Sequence, residues 1–275
     1  MTLRTFLRLN IPVSKLLRLN ETGGIEMSMN QVLRNSMVVL RITFFSTPCA
    51  NAATWSTTGS MNTARHSYGA VLLGNGKVLA CGGRTTCDLL VHSCELFDPA
   101  AGTWSYTGAM NTERTGFGMA VLQDGRVIAA GGTTSNGILT MTEIYDPGTG
   151  LWSPAASMND ARSGSGFVVL NNGTVLAAGG VGLFGGLTSA EIYNFAFDQW
   201  TYTGSMLNAR TRFGVARLGD GRVLAAAGTP GGTTAINTTA EIYDPSSGLW
   251  SSTGNLNGAI IERILEWLCY LVPIP

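Results

Sequence analysis

The 275-residue sequence predicts an all-β fold in which one four-stranded unit is built four times over. Three observations carry this. Trp55, Trp104, Trp152, Trp200 and Trp250 recur about every 49 residues, a period typical of repeat architectures. The stretches between them repeat in step. In each complete copy an Asn-Gly or Asp-Gly pair separates two apolar runs, as expected of antiparallel strands joined by a tight turn.

Each unit opens on a block that reads Met-Asn-Thr-Ala-Arg in its first copy, at 61–65. It returns at 110–114, 158–162 and 206–210, so that Arg65, Arg114, Arg162 and Arg210 share one position. An apolar run follows, 68–73 in the first unit. The turns Asn75-Gly76, Asp124-Gly125, Asn172-Gly173 and Asp220-Gly221 come next, and such pairs tolerate the positive φ of a two-residue type I′ hairpin. A second apolar run ends on Gly82-Gly83, Gly131-Gly132, Gly179-Gly180 and, in the last copy, Ala227-Gly228. Glycine there allows backbones to approach closely and turn freely. The third strand starts at Glu95, Glu143, Glu191 or Glu241, and proline stops it in three of the four units. The tryptophan marks a fourth, outer strand. Four strands per unit, set around a ring, describe a blade of a β-propeller.

The order Arg, Gly-Gly, Glu-x-Tyr-Asp-Pro, Trp resembles the kelch repeat, as found in kelch proteins and in the propeller of galactose oxidase. The resemblance runs over about residues 53–257. It implies a kelch-type β-propeller of four complete blades. An orphan N-terminal outer strand at Trp55 would precede them, and the missing partner strands would leave the ring incomplete. Two arrangements stay open, a closed four-blade disc or an open series whose end blades expose apolar faces. Register is lost at Ile260, where the repeat arginine belongs, and this abruptness is what a truncated or altered reading of a longer gene would produce. Residues 258–275 carry apolar positions at helical spacing.

Upstream, residues 1–35 read as a leader, disordered or helical. Residues 36–52 form a signal-like segment ending Ala50-Asn51-Ala52, with small residues where a signal peptidase wants them. The sequons Asn172-Gly173-Thr174 and Asn237-Thr238-Thr239 also favour an extracellular over a cytoplasmic location. Cys81, Cys87 and Cys94 flank one loop between adjacent strands, where a disulfide would form easily.

Charge excludes some functions. There are 17 basic and 17 acidic side chains, so no field of one sign is available for nucleic acid. No apolar run is long enough for a stable membrane span. The repeated arginines and glutamates read as scaffold, because buried charges persist only in partnership. The tryptophans read as packing between blades. Cys87, His92 and Cys94 lack a fourth ligand for structural zinc, and the chain's two histidines, His66 and His92, fall at different places in one unit. No catalytic residue, cofactor or metal site is therefore expected.

What varies is the loop after each Gly-Gly pair, and loops carry the specificity of a repeated scaffold. Leu89, Leu90, Leu183 and Phe184 give two of these loops apolar tips suited to partner contact. The reading is a non-catalytic module that binds a protein or glycan partner. The kelch resemblance implies two alternatives. One is a relative of copper-radical oxidases, whose two-tyrosine, two-histidine site this chain does not supply. The other is an intracellular adaptor for ubiquitin ligation, for which the 52 preceding residues show no recruiting helical bundle.

Overall fold

The computed structural model of the chain describes residues 56–231 and 236–257, together with the backbone of two short strands upstream. The chain divides into two units, 1–57 and 58–275. In the first, Leu17–Leu19 pairs antiparallel with Ile25–Met27, where a disordered or helical leader was expected. Trp55, the signal-like segment and the tail from 258 lie outside the described residues.

The second unit contains four four-stranded antiparallel sheets, each hydrogen-bonded in chain order. Blade 1 comprises Gly69–Leu72, Val78–Cys81, Cys94–Asp98 and Thr103–Thr107. Blade 2 comprises Gly118–Val121, Val127–Ala130, Thr142–Asp146 and Leu151–Ala155. Blade 3 comprises Gly166–Val169, Val175–Ala178, Ala190–Asn194 and Gln199–Thr203. Blade 4 comprises Gly214–Arg217, Val223–Ala226, Ala240–Asp244 and Leu249–Thr253. Among the described residues there is no helix.

The turns between first and second strands differ from the expected type I′ hairpin. In blade 1 the Gly76 amide donates to the Leu73 carbonyl at 2.9 Å, and of Asn75 and Gly76 only Gly76 has positive φ, at 81°. Leu73 and Lys77 then close a three-residue loop, with the Leu73 amide donating to the Lys77 carbonyl at 2.8 Å. This is a turn followed by a left-handed glycine, the G1-bulge solution. The Asx side chain explains why Asn or Asp precedes glycine every time. Asn75, Asp124, Asn172 and Asp220 each accept, through Oδ1, the backbone N–H two residues on, at 3.0–3.1 Å.

Blades stack front to back. Leu73, Leu79, Cys81 and Cys94 of blade 1 share a core with Met110, Val127, Ala129, Tyr145 and Trp152 of blade 2. The same positions recur between blades 2 and 3 and between blades 3 and 4. First strands of successive blades touch, but no contact of that extent joins the first strand of blade 4 to that of blade 1. Among the described residues the series is not closed.

The Gly-Gly pair serves this stacking. The amides of Gly83, Gly132 and Gly180 donate to the carbonyls of Arg114, Arg162 and Arg210 in the following blade, at 2.7–2.9 Å. A methyl group on the preceding glycine, Gly82, would come within 2.8 Å of the Arg114 carbonyl, and Gly82 has φ 68°. In blade 4 that position is Ala227, which keeps a positive φ of 63°.

Candidate functional site

Each blade carries a repeated polar clasp, and the unequal loops rise directly beside it. The side chain of Arg114 is fully buried and donates through Nη2 to Glu143 Oε1 at 2.6 Å. Its Nη1 donates to the carbonyls of Gly131 at 3.0 Å and Met141 at 2.8 Å. Glu143 accepts the amides of Asn111 and Thr112, which ties the strand-joining segment to the third strand. Arg65–Glu95, Arg162–Glu191 and Arg210–Glu241 repeat this at 2.8, 2.6 and 2.6 Å. Each pair lies inside one repeat unit. It ties the opening segment of the unit to the third strand of the same blade.

Burial alone would raise the Glu95 and Glu241 carboxyls. The guanidinium and the neighbouring amide donors outweigh it and hold both below the ordinary glutamate value. A buried carboxylate with three or more donors is thereby kept ionised beside its arginine.

Trp152 has a double task. Trp152 stacks on Tyr145 of its own blade at 5.2 Å and packs into the core shared with blade 1. Its Nε1 donates to the Gly108 carbonyl at 3.1 Å, and Trp104 does the same to Gly59.

Beside the clasp, the residue after each repeat arginine bridges to the residue after the glycine pair: His66 to Arg84, Thr115 to Thr133, Ser163 to Val181, Thr211 to Thr229. The loops therefore rise from equivalent places in all four blades. The hydroxyls of Thr115, Ser163 and Thr211 also donate to carbonyls of the preceding blade, those of Ser67, Gly116 and Gly164. Sequence reasoning missed this seam, although a hydroxyl residue recurring after the arginine was its signal.

Among the described loops, that of blade 3 has the most exposed apolar tip. Val181–Gly182 pairs with Gly185–Gly186, and Leu183 and Phe184 form the tip. Leu183 is 70% exposed and Phe184 fully so. The hairpin's base is seated, because Gly186 lies against the Pro230 carbonyl of the blade 4 loop so closely that a side chain would not fit. In blade 1 the loop turns at Thr85–Asp88, with the Asp88 amide donating to Thr85 at 2.9 Å and Arg84 paired to Asp88 at 3.2 Å. Leu89 is 66% exposed. Leu90 is half-buried where it bridges Arg84, so of the expected Leu89-Leu90 tip only Leu89 projects. Blade 2 ends on polar Ser135 and Asn136.

Cys81 and Cys94 are directly opposite on paired strands, 4.2 Å apart at Cα, and are joined as a disulfide. Cys94 is thus bonded to Cys81, which removes it from the Cys87, His92, Cys94 set. Cys87 is a free, exposed thiol. No group of three or more His, Cys, Asp or Glu side chains placed for a metal occurs among the described residues. His66 and His92 are both exposed, in blade 1. No helix of the described residues is long and apolar enough to cross a membrane.

A search of curated proteins finds no match to this sequence. The kelch motif matches residues 113–159, a stretch that contains all four strands of blade 2. Blades 1, 3 and 4 repeat its strand order and register and its Arg–Glu clasp, consistent with blades of a kelch-type propeller.

Proposed function

We propose that this chain is a non-catalytic binding module, with a domain over 53–257 that recognises a partner protein through the loops after the glycine pairs. The observation that carries this is Phe184, a fully exposed aromatic held at the tip of a buttressed two-strand hairpin. An exposed phenylalanine costs solubility, and burying one against a partner is worth about 1.5–3 kcal/mol. Leu183 beside it and Leu89 on blade 1 extend the same apolar chemistry. The side chains repeated in every blade are consumed by the fold, since each arginine and glutamate is buried and paired. Among the described residues the His66 ring is hydrogen-bonded to its neighbour Ser67 at 3.2 Å, and no acid orients it.

The test is a photo-crosslinking residue at position 184, with a second chain carrying it at exposed Ser135 of blade 2 as the control. Crosslinking to one protein from 184 but not from 135 supports the reading. A glycan array bound in a Phe184-dependent way would replace the protein partner with a sugar. Equal labelling from both positions would remove the blade 3 loop from the site.

A further inference from the structure

The turn between the first and second strands of blade 3 departs from its three counterparts. In blades 1, 2 and 4 the residue after the glycine is a cation, and each is paired: Lys77 to Asp98 at 3.0 Å, Arg126 to Asp124 at 2.8 Å, Arg222 to Asp220 at 2.7 Å. In blade 3 the turn is Asn172-Gly173-Thr174, with neither charge. The place of the ion pair is taken by one side-chain contact, the Thr174 hydroxyl donating to Asn172 Oδ1 at 2.7 Å. The Thr174 amide donates to the same oxygen at 3.1 Å.

An Asn-x-Thr triplet so folded is an acceptor for N-linked glycan, and the hydroxyl-to-amide contact draws electron density from the amide that must lose a proton. Asn172 is exposed, and so is Asn171 before it. The side chain borders an open groove of about 500 Å³ between this turn and the Asp220-Gly221-Arg222 turn of blade 4, which leaves room for a sugar.

The second observation is independent. The bonded cysteines Cys81 and Cys94 are both fully buried. The opposed residues at the same place in the other blades are Ala130 with Thr142, Ala178 with Ala190, and Ala226 with Ala240. A pair of small residues suffices for packing there, so the disulfide reflects folding in an oxidising compartment, which is also the compartment of N-glycosylation.

We propose that Asn172 is an N-glycosylation site, modified while the chain passes through the secretory compartment. The co-substrate is a lipid-pyrophosphate-linked oligosaccharide. The Asn172 amide nitrogen forms a bond to the anomeric carbon, the bond from that carbon to the phosphate oxygen breaks, and the lipid pyrophosphate leaves with the electron pair while the amide gives up one proton. The other sequon is not included. Asn237 accepts the Thr239 amide and hydroxyl in the same way, at 3.0 and 2.6 Å, but it is half-buried, and the Thr239 hydroxyl also accepts from the clasp arginine Arg210 at 2.8 Å.

The experiment expresses the full chain with its own N-terminal region in a cell that glycosylates secreted proteins. The purified protein is treated with peptide N-glycosidase in oxygen-18 water and residue 172 is read by peptide mass spectrometry. Conversion of Asn172 to labelled aspartate in most molecules is expected, together with an oxidised Cys81–Cys94 pair. The substitution Thr174→Val, which keeps the shape and deletes the hydroxyl, abolishes the label, and Thr174→Ser retains it. An unlabelled Asn172 overturns the proposal, whether the cysteines are oxidised or reduced. So does labelling that survives Thr174→Val.

Discussion

Asp198 accepts the Ala156 amide through Oδ1 at 2.8 Å, and so does the work done at other blade joints by a glycine carbonyl. At those joints the amides of Gly59, Gly108 and Gly204 donate to Gly102, Gly150 and Gly248, at 2.9–3.0 Å. A methyl group on Gly108 would overlap the Gly150 carbonyl. Blade 3 changes both partners at once: alanine replaces the donor glycine, and an aspartate side chain, at φ 47°, replaces the glycine at φ 66–72°. The same carboxylate also accepts the Tyr193 hydroxyl at 2.9 Å. Burial, and then this carboxylate, push the Tyr193 phenol well above its ordinary range.

The exchange is a matched pair, which a double-mutant cycle measures. Asp198→Gly alone leaves the Ala156 amide without its acceptor, since the methyl group keeps a carbonyl away, and a loss of about 1–3 kcal/mol is expected. Adding Ala156→Gly restores most of it, a coupling of roughly 0.5–3 kcal/mol by chemical denaturation. Additive losses would mean the two positions are unrelated.

Truncating one side of a clasp leaves an ion buried and unpaired. Arg162→Leu is expected to lower stability by about 3–5 kcal/mol, and Glu191→Gln by less, because an amide can still accept the Asn159 and Asp160 amides. Thermal unfolding followed by circular dichroism reads both. A melting temperature unchanged by Arg162→Leu would contradict the scaffold role of the arginines.

Acid should dissolve the clasps. Glu95 and Glu241 have folded values below the ordinary 4.5, so their contribution is complete above that pH and is lost as pH falls through the folded values. Melting temperatures are expected to hold from neutrality to about pH 5 and fall below pH 4.5. Glu241→Gln starts lower but declines less steeply. A wild-type curve flat to pH 3 would show that these carboxylates are not bound as described.

Reduction should weaken blade 1. The disulfide closes 13 residues of sequence separation, and cross-links of that length stabilise by about 3 kcal/mol in the chain-entropy treatment. The double substitution Cys81→Ala with Cys94→Ala installs the pair that blade 4 uses at Ala226 and Ala240. A reductant is expected to lower the melting temperature of the wild type and leave the double variant unmoved. A shift of both would point to chemistry elsewhere, such as Cys87.

The blades were legible in the sequence because their determinants are local and recur: Asx-Gly turns, glycine pairs with positive φ, and a tryptophan every repeat. The pairing of Cys81 with Cys94 was only partly so, since proximity in sequence admitted Cys87 as well, and register decided it. The turn type was misread because Asn75-Gly76 fits two hairpins, and the Leu73 to Lys77 closure selects the longer one. The Asp198–Ala156 exchange was hidden for a different reason. Its partners are 42 residues apart, and neither replacement has meaning without the other. The loop tips showed their apolar character but not their exposure. Leu90 is half-buried at its backbone bridge to Arg84, a distinction only the fold makes.

On the proposed function, positions repeated in all four blades hold the fold and the unequal loops recognise the partner. The most direct measurement places Phe184→Asp beside Arg162→Leu and records both melting temperature and binding to the protein that crosslinks from position 184. The expected result is a split: Phe184→Asp melts within about 0.5 kcal/mol of wild type, as surface changes do, and loses binding at least tenfold, about 1.4 kcal/mol. Arg162→Leu loses stability and, below its melting temperature, binds normally. Full binding by a well-folded Phe184→Asp would contradict it.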